Sequence, residues 1–450
     1  MLLLLPVVLP APERLSGSAW LAAGLAAAMA LWWVTEALPL AATALLPLAY
    51  APLVGIAQIE EVAGAYGDPL IVLFLGGFLI ARAIERSGLH RRLSAALLAI
   101  AGTSPRRCLG AIMLGTAFLS LWISNTASAM VMAPIAAALA ASQETHSRFP
   151  TALMLGVAFS ATIGGMGSLI GTPPNAIFAA YVSSTYGITV GFAQWAAVGV
   201  PVALVLLALT WVVLGFVSPG TGTAPLRPPE RQEASAMGVA ERRVAWVAGM
   251  TALAWLSRPL LEWFWPVDGL SDAGIAMVAA LVLFVLPDGK GGRLLDWDTA
   301  ATLRWDVLIL FGGGLALAGL LQQTGLADRI GAAVVGYAYL PELLLLLTIA
   351  AVIVYVGELA SNTAMAAIFL PITGAVATGI GADPVAFMLP VALAASIGFM
   401  LPVATPPNAI VFSDPAVTRA DMLRAGAPLD IIALFVTVVI GSILGPVVFG

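Results

Sequence analysis

Two Ser-Asn-Thr triplets, at 124–126 and 361–363, lie 237 residues apart inside apolar stretches of a 450-residue chain. Their hydroxyl and amide oxygens can ligate a cation, and their hydroxyl and amide protons can bind a carboxylate, without either triplet carrying charge. Each triplet is followed downstream by a matching break, "GTPPNAI" (171–177) and "ATPPNAI" (404–410). Paired prolines remove backbone donors and interrupt a helix, which frees carbonyls just upstream, near Gly171 and Ala404. Carbonyls beside Ser and Asn oxygens form a hard, uncharged ligand set that suits a dehydrated alkali cation. The helix N-termini that begin at the same places suit an anion. A lone triplet would read as a helix cap; two triplets, each with its own Pro-Pro-Asn break, argue for a site.

No Lys, Arg or His falls within ten residues of either triplet or either Pro-Pro-Asn core. An anion bound there lacks a cationic side chain. Helix N-termini contribute about half an elementary charge each, too little to offset a dianion, and co-bound cations make up the difference. The expected chemistry is therefore cation-coupled binding of a small molecule with two anionic groups, one end held by each triplet.

The elements that must position these residues are membrane helices. The chain is 61% hydrophobic and only 10% charged, with apolar runs of about twenty residues. Ten runs read as crossings, near 17–35, 36–54, 67–87, 150–182, 191–217, 243–263, 272–287, 305–323, 384–412 and 427–449. Two more, 108–141 and 343–380, are interrupted by a triplet near the centre. An arm of sixteen residues, 108–123, spans only about 24 Å of a hydrocarbon core roughly 30 Å thick. Both regions are expected to be re-entrant hairpins with the triplet at the tip, where non-helical backbone survives only if buried in protein or lining a cavity.

The halves of the chain repeat one another. "LFLGGFLIARAIERSGL" (73–89) aligns with "LFGGGLALAGLLQQTGL" (310–326) at the offset of the triplets, and "TIGGMGSLIGTPPNAI" (162–177) aligns with "SIGFMLPVATPPNAI" (396–410). Segment 82–107 carries Arg82, Arg86, Arg91, Arg92, Arg106 and Arg107, whereas its counterpart 319–344 carries only Arg329. Under the positive-inside rule the two copies are inverted, which leaves only Arg14, Arg258 and Arg329 of the nineteen Lys and Arg residues outside. The expected organisation is 1–104, first-repeat helices and arm; 105–217, the first-repeat triplet and break; 218–242, a Pro-rich cytoplasmic linker; 243–340, second-repeat helices and arm; and 341–450, the second-repeat triplet and break. The nine apolar residues of "MLLLLPVVL" are too few to cross, and this end is expected on the outer side.

Enzyme chemistry has little to work with. The one cysteine, Cys108, excludes a disulfide framework and a thiolate cluster. His90 and His146 fall in Arg-bearing polar segments, read as loops, and the one lysine is Lys290, so no Ser-Lys, Ser-His or HExxH arrangement forms at depth. A channel is disfavoured by inverted repeats with discontinuous helices, the pattern of alternating access. Glu358, four residues before Asn362, is an intramembrane carboxylate, balanced between a functional role and a contact at the helix tip. Glu36 reads as an interfacial anchor.

The two triplets, the two Pro-Pro-Asn breaks and "WWVTEALPL" (32–40) resemble the divalent anion/sodium symporter family, over nearly the whole chain. The resemblance implies an all-α integral membrane protein of the bacterial inner membrane, a homodimer whose protomers each pair a scaffold with an elevator-type transport part. Carried over, one sodium site would use Ser120, Ser124, Asn125 and the carbonyl of Gly171, and a second Gly357, Ala360, Asn362 and Ala404. Substrate carboxylates would meet Asn125, Thr126, Ser361, Asn362 and Thr363, with Thr172 and Thr405 nearby. Ser120 pairs with Gly357 across the repeat, so the second site is expected to lean on backbone oxygens. The implied function is sodium-coupled uptake of C4-dicarboxylates such as succinate, malate or fumarate, with sodium the coupling ion, no organic cofactor and no nucleic-acid partner. The alternatives are dicarboxylate exchange, or sodium-coupled citrate or sulfate transport.

Overall fold

Prolines and short polar side chains set where the helices begin. In the computed structural model, which describes residues 3–13, 15–93, 96, 104–140, 148–217, 236–264, 270–334 and 341–449, proline occupies the first turn of the helices Pro69–Ser87, Pro105–Ser120, Pro173–Tyr186, Pro384–Ala394 and Pro406–Phe412. Its missing N–H is one of the donors a first turn cannot use. Asp68 and Asp383 add side-chain caps, accepting from Leu70 N and Val385 N.

Helix dominates the described residues, which contain no β-strand and only an isolated bridge between Pro287 and Arg293. By length and composition seven described helices can cross a bilayer, and five shorter ones are apolar. The expected crossings fall on helices, with two differences in form. The 36–54 segment is two short helices, Leu40–Ala44 and Leu46–Leu53, because Pro47 sits in the first turn of the second and restarts the chain. The N-terminal apolar run is a single short helix, Leu5–Val8. Arg14, His146 and residues 218–235 of the expected 218–242 linker lie outside the described residues, and the end of that linker is already helix, within Val239–Phe264.

The two triplet regions are each a pair of helices joined at the triplet: Pro105–Ser120 with Asn125–Ala140, and Glu342–Gly357 with Asn362–Ile380. The two Pro-Pro-Asn regions are each an interrupted helix: Phe149–Met166 then Pro173–Tyr186, and Pro384–Ala394 then Pro406–Phe412. Phe149–Met166 is buried along almost its whole length and packs on both helices of the first pair, as Pro384–Ala394 packs on both of the second.

Beyond each break the chain crosses over. Pro406–Phe412 packs against Asn125–Ala140 and Phe149–Met166 of the first half, and Pro173–Tyr186 packs against Asn362–Ile380 of the second. The rings of Phe159 and Phe399, 5.2 Å between centroids at 63°, mark the seam, an edge-on contact favoured by the ring quadrupoles. This exchange brings both triplets to one place.

Candidate functional site

A single cavity of about 2430 Å³ reaches both triplets and both breaks. Of the residues expected to bind ions or substrate, it is lined by Ser124, Asn125, Thr126, Gly171, Thr172, Ala360, Ser361, Asn362, Thr363, Ala404 and Thr405. Ser120, fully buried, and Gly357 stand behind that surface. Sequence positions 237 residues apart therefore converge as expected.

At the first tip, Ser120 Oγ lies 2.6 Å from Asn125 Oδ1 and 2.6 Å from Ala161 O, donating its proton to one of them. Ser124 Oγ caps the following helix by accepting from Ala127 N at 3.2 Å. The break presses on this tip from behind. A Cβ at Gly165 would stand 2.3 Å from Asn125 Oδ1, and one at Gly171 would stand 2.5 Å from Gly165 O. Only glycine at both positions lets backbone and amide approach so closely.

The second tip is built differently. Ser361 makes no side-chain cap bond, which leaves its hydroxyl free for the cavity it lines. Asn362 Nδ2 donates to Ser396 O at 3.3 Å, while Asn362 Oδ1 has no hydrogen-bond partner. A buried amide oxygen without a donor is costly in isolation and is the kind of ligand an alkali cation takes. Among the described residues no donor reaches the carbonyls of Gly171 or Ala404. Both places thus offer oxygens of the kind a cation takes, with more side-chain oxygen at the first. A Cβ built at Gly357 would have Met365 Cγ at 3.8 Å and Asn362 Oδ1 at 3.9 Å as neighbours, so this position has room for a side chain.

Asn175 and Asn408 organise the breaks, a role not read from the sequence. Both are fully buried. Asn175 Nδ2 donates to Ser168 O at 2.8 Å and Gly165 O at 3.1 Å, and Asn408 Nδ2 to Leu401 O at 2.9 Å and Gly398 O at 3.0 Å. Each amide ties down carbonyls left at the helix end and in the interrupted segment upstream of the prolines, holding the loop in one shape. The signal was present as a buried Asn at the same place in both copies. Thr405 Oγ1 accepts from Asn408 N at 3.3 Å, whereas Thr172 makes no such bond.

Charged residues line the far end of the cavity, among them Arg82, Arg91, Arg92, Arg304, Glu85, Glu241 and Asp306. Arg82 bonds Glu85 at 2.7 Å and Thr302 O at 2.8 Å, and Arg86 pairs with Asp296. Hydrogen bonds from Thr299, then the Arg86 contact, hold Asp296 down to about 2. His90 also lines this end. It is buried rather than in a loop, with Nδ1 3.2 Å from Ile84 O, because the helix resumes immediately after Gly88 and turns the ring inward. Glu36 also lines the cavity; it is an exposed residue in the left-handed region with φ 49°, ending Gly17–Thr35.

Apolar helices of spanning length around one cavity that both helix breaks line define an integral membrane transporter, and comparison with known proteins agrees. The whole chain, residues 1–450, matches the sodium:sulfate symporter transmembrane region. The chain belongs to that family and is integral to the bacterial cell membrane. The sodium-dependent dicarboxylate transporter SdcS of Staphylococcus saprophyticus is 36% identical over 470 residues, covering 100% of this chain and 91% of that protein. The protein of the same name from Staphylococcus aureus strain USA300 is also 36% identical, over 94% of this chain and 85% of its own length. Two solved structures share the fold: the YdaH transporter of Alcanivorax borkumensis, TM-score 0.59 at 16% identity over 86% of this chain and 89% of that one, and MtrF of Neisseria gonorrhoeae, TM-score 0.61 at 15% identity over 86% and 83%.

Proposed function

We propose that this protein couples an inward sodium gradient to uptake of C4-dicarboxylates such as succinate, malate or fumarate. The observation that carries the proposal is the convergence of Asn125, Thr126, Asn362 and Thr363 on one cavity, in segments with no Lys, Arg or His within ten residues. Two amide-and-hydroxyl tips suit the two ends of a small dianion. Sodium at Ser120, Ser124, Asn125 and Gly171, and at Gly357, Ala360, Asn362 and Ala404, supplies the positive charge that the side chains lack. Relatives named sodium-dependent dicarboxylate transporters support a dicarboxylate substrate and sodium as the ion. Two sodium ions only neutralise the substrate; a voltage-driven cycle needs a third, at about 2.3 kcal/mol per charge per 100 mV.

In this scheme the two helix pairs are re-entrant hairpins, the halves are inverted repeats, and the protein works as a homodimer. The hairpins and broken helices move as one elevator-type body against the remaining helices. The Arg-rich mouth then opens to the cytoplasm, so the conformation is inward-facing.

Uptake of labelled succinate into proteoliposomes, with sodium or choline outside and with or without internal dicarboxylate, tests the coupling. Accumulation is expected only with the sodium gradient, without internal substrate and with lithium a poor substitute. Equal uptake in choline driven by internal dicarboxylate establishes an exchanger instead. The topology is checked by labelling. Cys108 is 2% exposed and serves as a silent background; Arg107→Cys is expected to react from the cytoplasmic face and Gln323→Cys from the outer face. Reaction of both from one side removes the inversion.

A further inference from the structure

The structure places Glu358 where the second half needs a substitute for a missing hydroxyl. In the first half, Ser120 Oγ donates to Asn125 Oδ1 or to Ala161 O of the helix before the break, and Ser168 Oγ ties the break to the tip by donating to Leu121 O at 2.7 Å. The repeat offset pairs Ser120 with Gly357 and Leu121 with Glu358. Gly357 has no side chain to make the first tie. At the next position Glu358, 1% exposed, turns its carboxylate onto the break: Oε1 accepts from Met400 N at 2.9 Å and Oε2 from Leu401 N at 2.8 Å. The same residue position thus joins tip to break in both halves, through its own carbonyl in one and its side chain in the other.

The pinned loop runs directly into Ala404. Its preceding N–H, at Phe399, is accepted at 3.1 Å by Oδ1 of Asp430, a fully buried residue of the helix Arg419–Phe449 whose carboxyl lies against that of Glu358. Three successive backbone donors of the break are therefore held by side-chain carboxyl oxygens. A Cβ at Gly398 would lie 3.2 Å from Ala404 Cβ and 3.8 Å from Glu358 Oε1, which puts the pin and Ala404 both beside one residue.

We propose that Glu358 is the positioning residue of the second sodium site, fixing the loop 399–404 against the Gly357–Asn362 tip so that the Ala404 carbonyl and Asn362 Oδ1 stay aimed at one ion. The proposal rests on the sodium assignment made above. It gives Glu358 no contact with substrate, so its loss acts on the ion alone.

Sodium activation of succinate uptake, measured in proteoliposomes of monodisperse protein, tests this. Glu358→Gln keeps one acceptor and is expected to raise the sodium concentration for half-activation about tenfold, and Glu358→Ala more. Maximal rate and succinate half-saturation at saturating sodium stay within about twofold. Asp430→Asn keeps its oxygen for Phe399 N and is expected to activate within about twofold of the parent protein. Gly357→Ser added to Glu358→Gln restores a tie from the tip and lowers the half-activation again. An unchanged sodium curve in both Glu358 variants overturns the proposal, as does a fall in maximal rate with unaltered sodium dependence. Failure of both variants to yield folded protein also overturns it, by making Glu358 a residue of the fold. A parent protein that needs no sodium defeats the functional assignment itself; a sodium-dependent parent with indifferent variants defeats only this proposal.

Discussion

Asn125→Ala and Asn362→Ala each reduce succinate uptake by an expected factor of at least about 100. Each asparagine offers a carbonyl oxygen to a cation and an amide donor to a carboxylate, so truncation removes both contacts at once. At the first tip the loss also leaves Ser120 Oγ without the Asn125 oxygen 2.6 Å away, so that its proton goes to Ala161 O. At the second tip it removes an oxygen with no other partner and the donor to Ser396 O. Thr126→Ala and Thr363→Ala remove one hydroxyl at the cavity surface, where water can partly replace it, and are expected to weaken apparent affinity while keeping most of the maximal rate. Because Gly357 brings no hydroxyl, Asn362→Asp is expected to disturb sodium activation more than Asn125→Asp. The measurement is sodium activation and succinate uptake for all six variants after each is shown to be folded. Near-normal transport by either alanine variant at an asparagine takes the triplets out of the mechanism.

Gly165→Ala is expected to abolish uptake to a similar degree without altering a ligand. Its methyl group would stand 2.3 Å from Asn125 Oδ1 and 3.0 Å from Asn125 Cγ, well inside van der Waals contact, and the movable partner is the Asn125 side chain. The asparagine swings aside and both its contacts are lost. Gly357→Ser is the counter-experiment. Its nearest neighbour would be 3.8 Å away, an ordinary contact, and it places a hydroxyl where the first half has Ser120. Sodium half-activation is expected to fall below that of the parent protein. Full activity in Gly165→Ala, or weakened sodium activation in Gly357→Ser, contradicts the assigned geometry.

Gly171 shows why such effects need the structure. The aligned residue of the second half is Ala404, so sequence comparison of the halves suggests that alanine is acceptable at 171. It is acceptable at 404, where the chain arriving from 398–401 leaves space. At 171 the backbone oxygen of Gly165 stands 2.5 Å from where a Cβ would be.

The sequence by itself determined the membrane helices, their order in two matching halves, the positions of the two joined pairs and two breaks, and which polar side chains stand at them. These follow from local causes: the length of apolar runs against bilayer thickness, the donor that proline lacks, and the scarcity of charge near the tips. Tertiary structure alone decided what each of those residues touches. The crossover of Pro406–Phe412 onto the first half, and of Pro173–Tyr186 onto the second, joins surfaces that are equally apolar, so residue type does not specify the partner. Asn175 and Asn408 were visible as parts of a motif, but their grip on carbonyls up to ten residues upstream depends on the path of the interrupted chain. Glu358 could be seen as a buried charge balanced between two roles. Its direction was set only when packing brought the N–H groups of Met400 and Leu401 beside it, since a carboxylate out of water takes whatever donors the fold supplies.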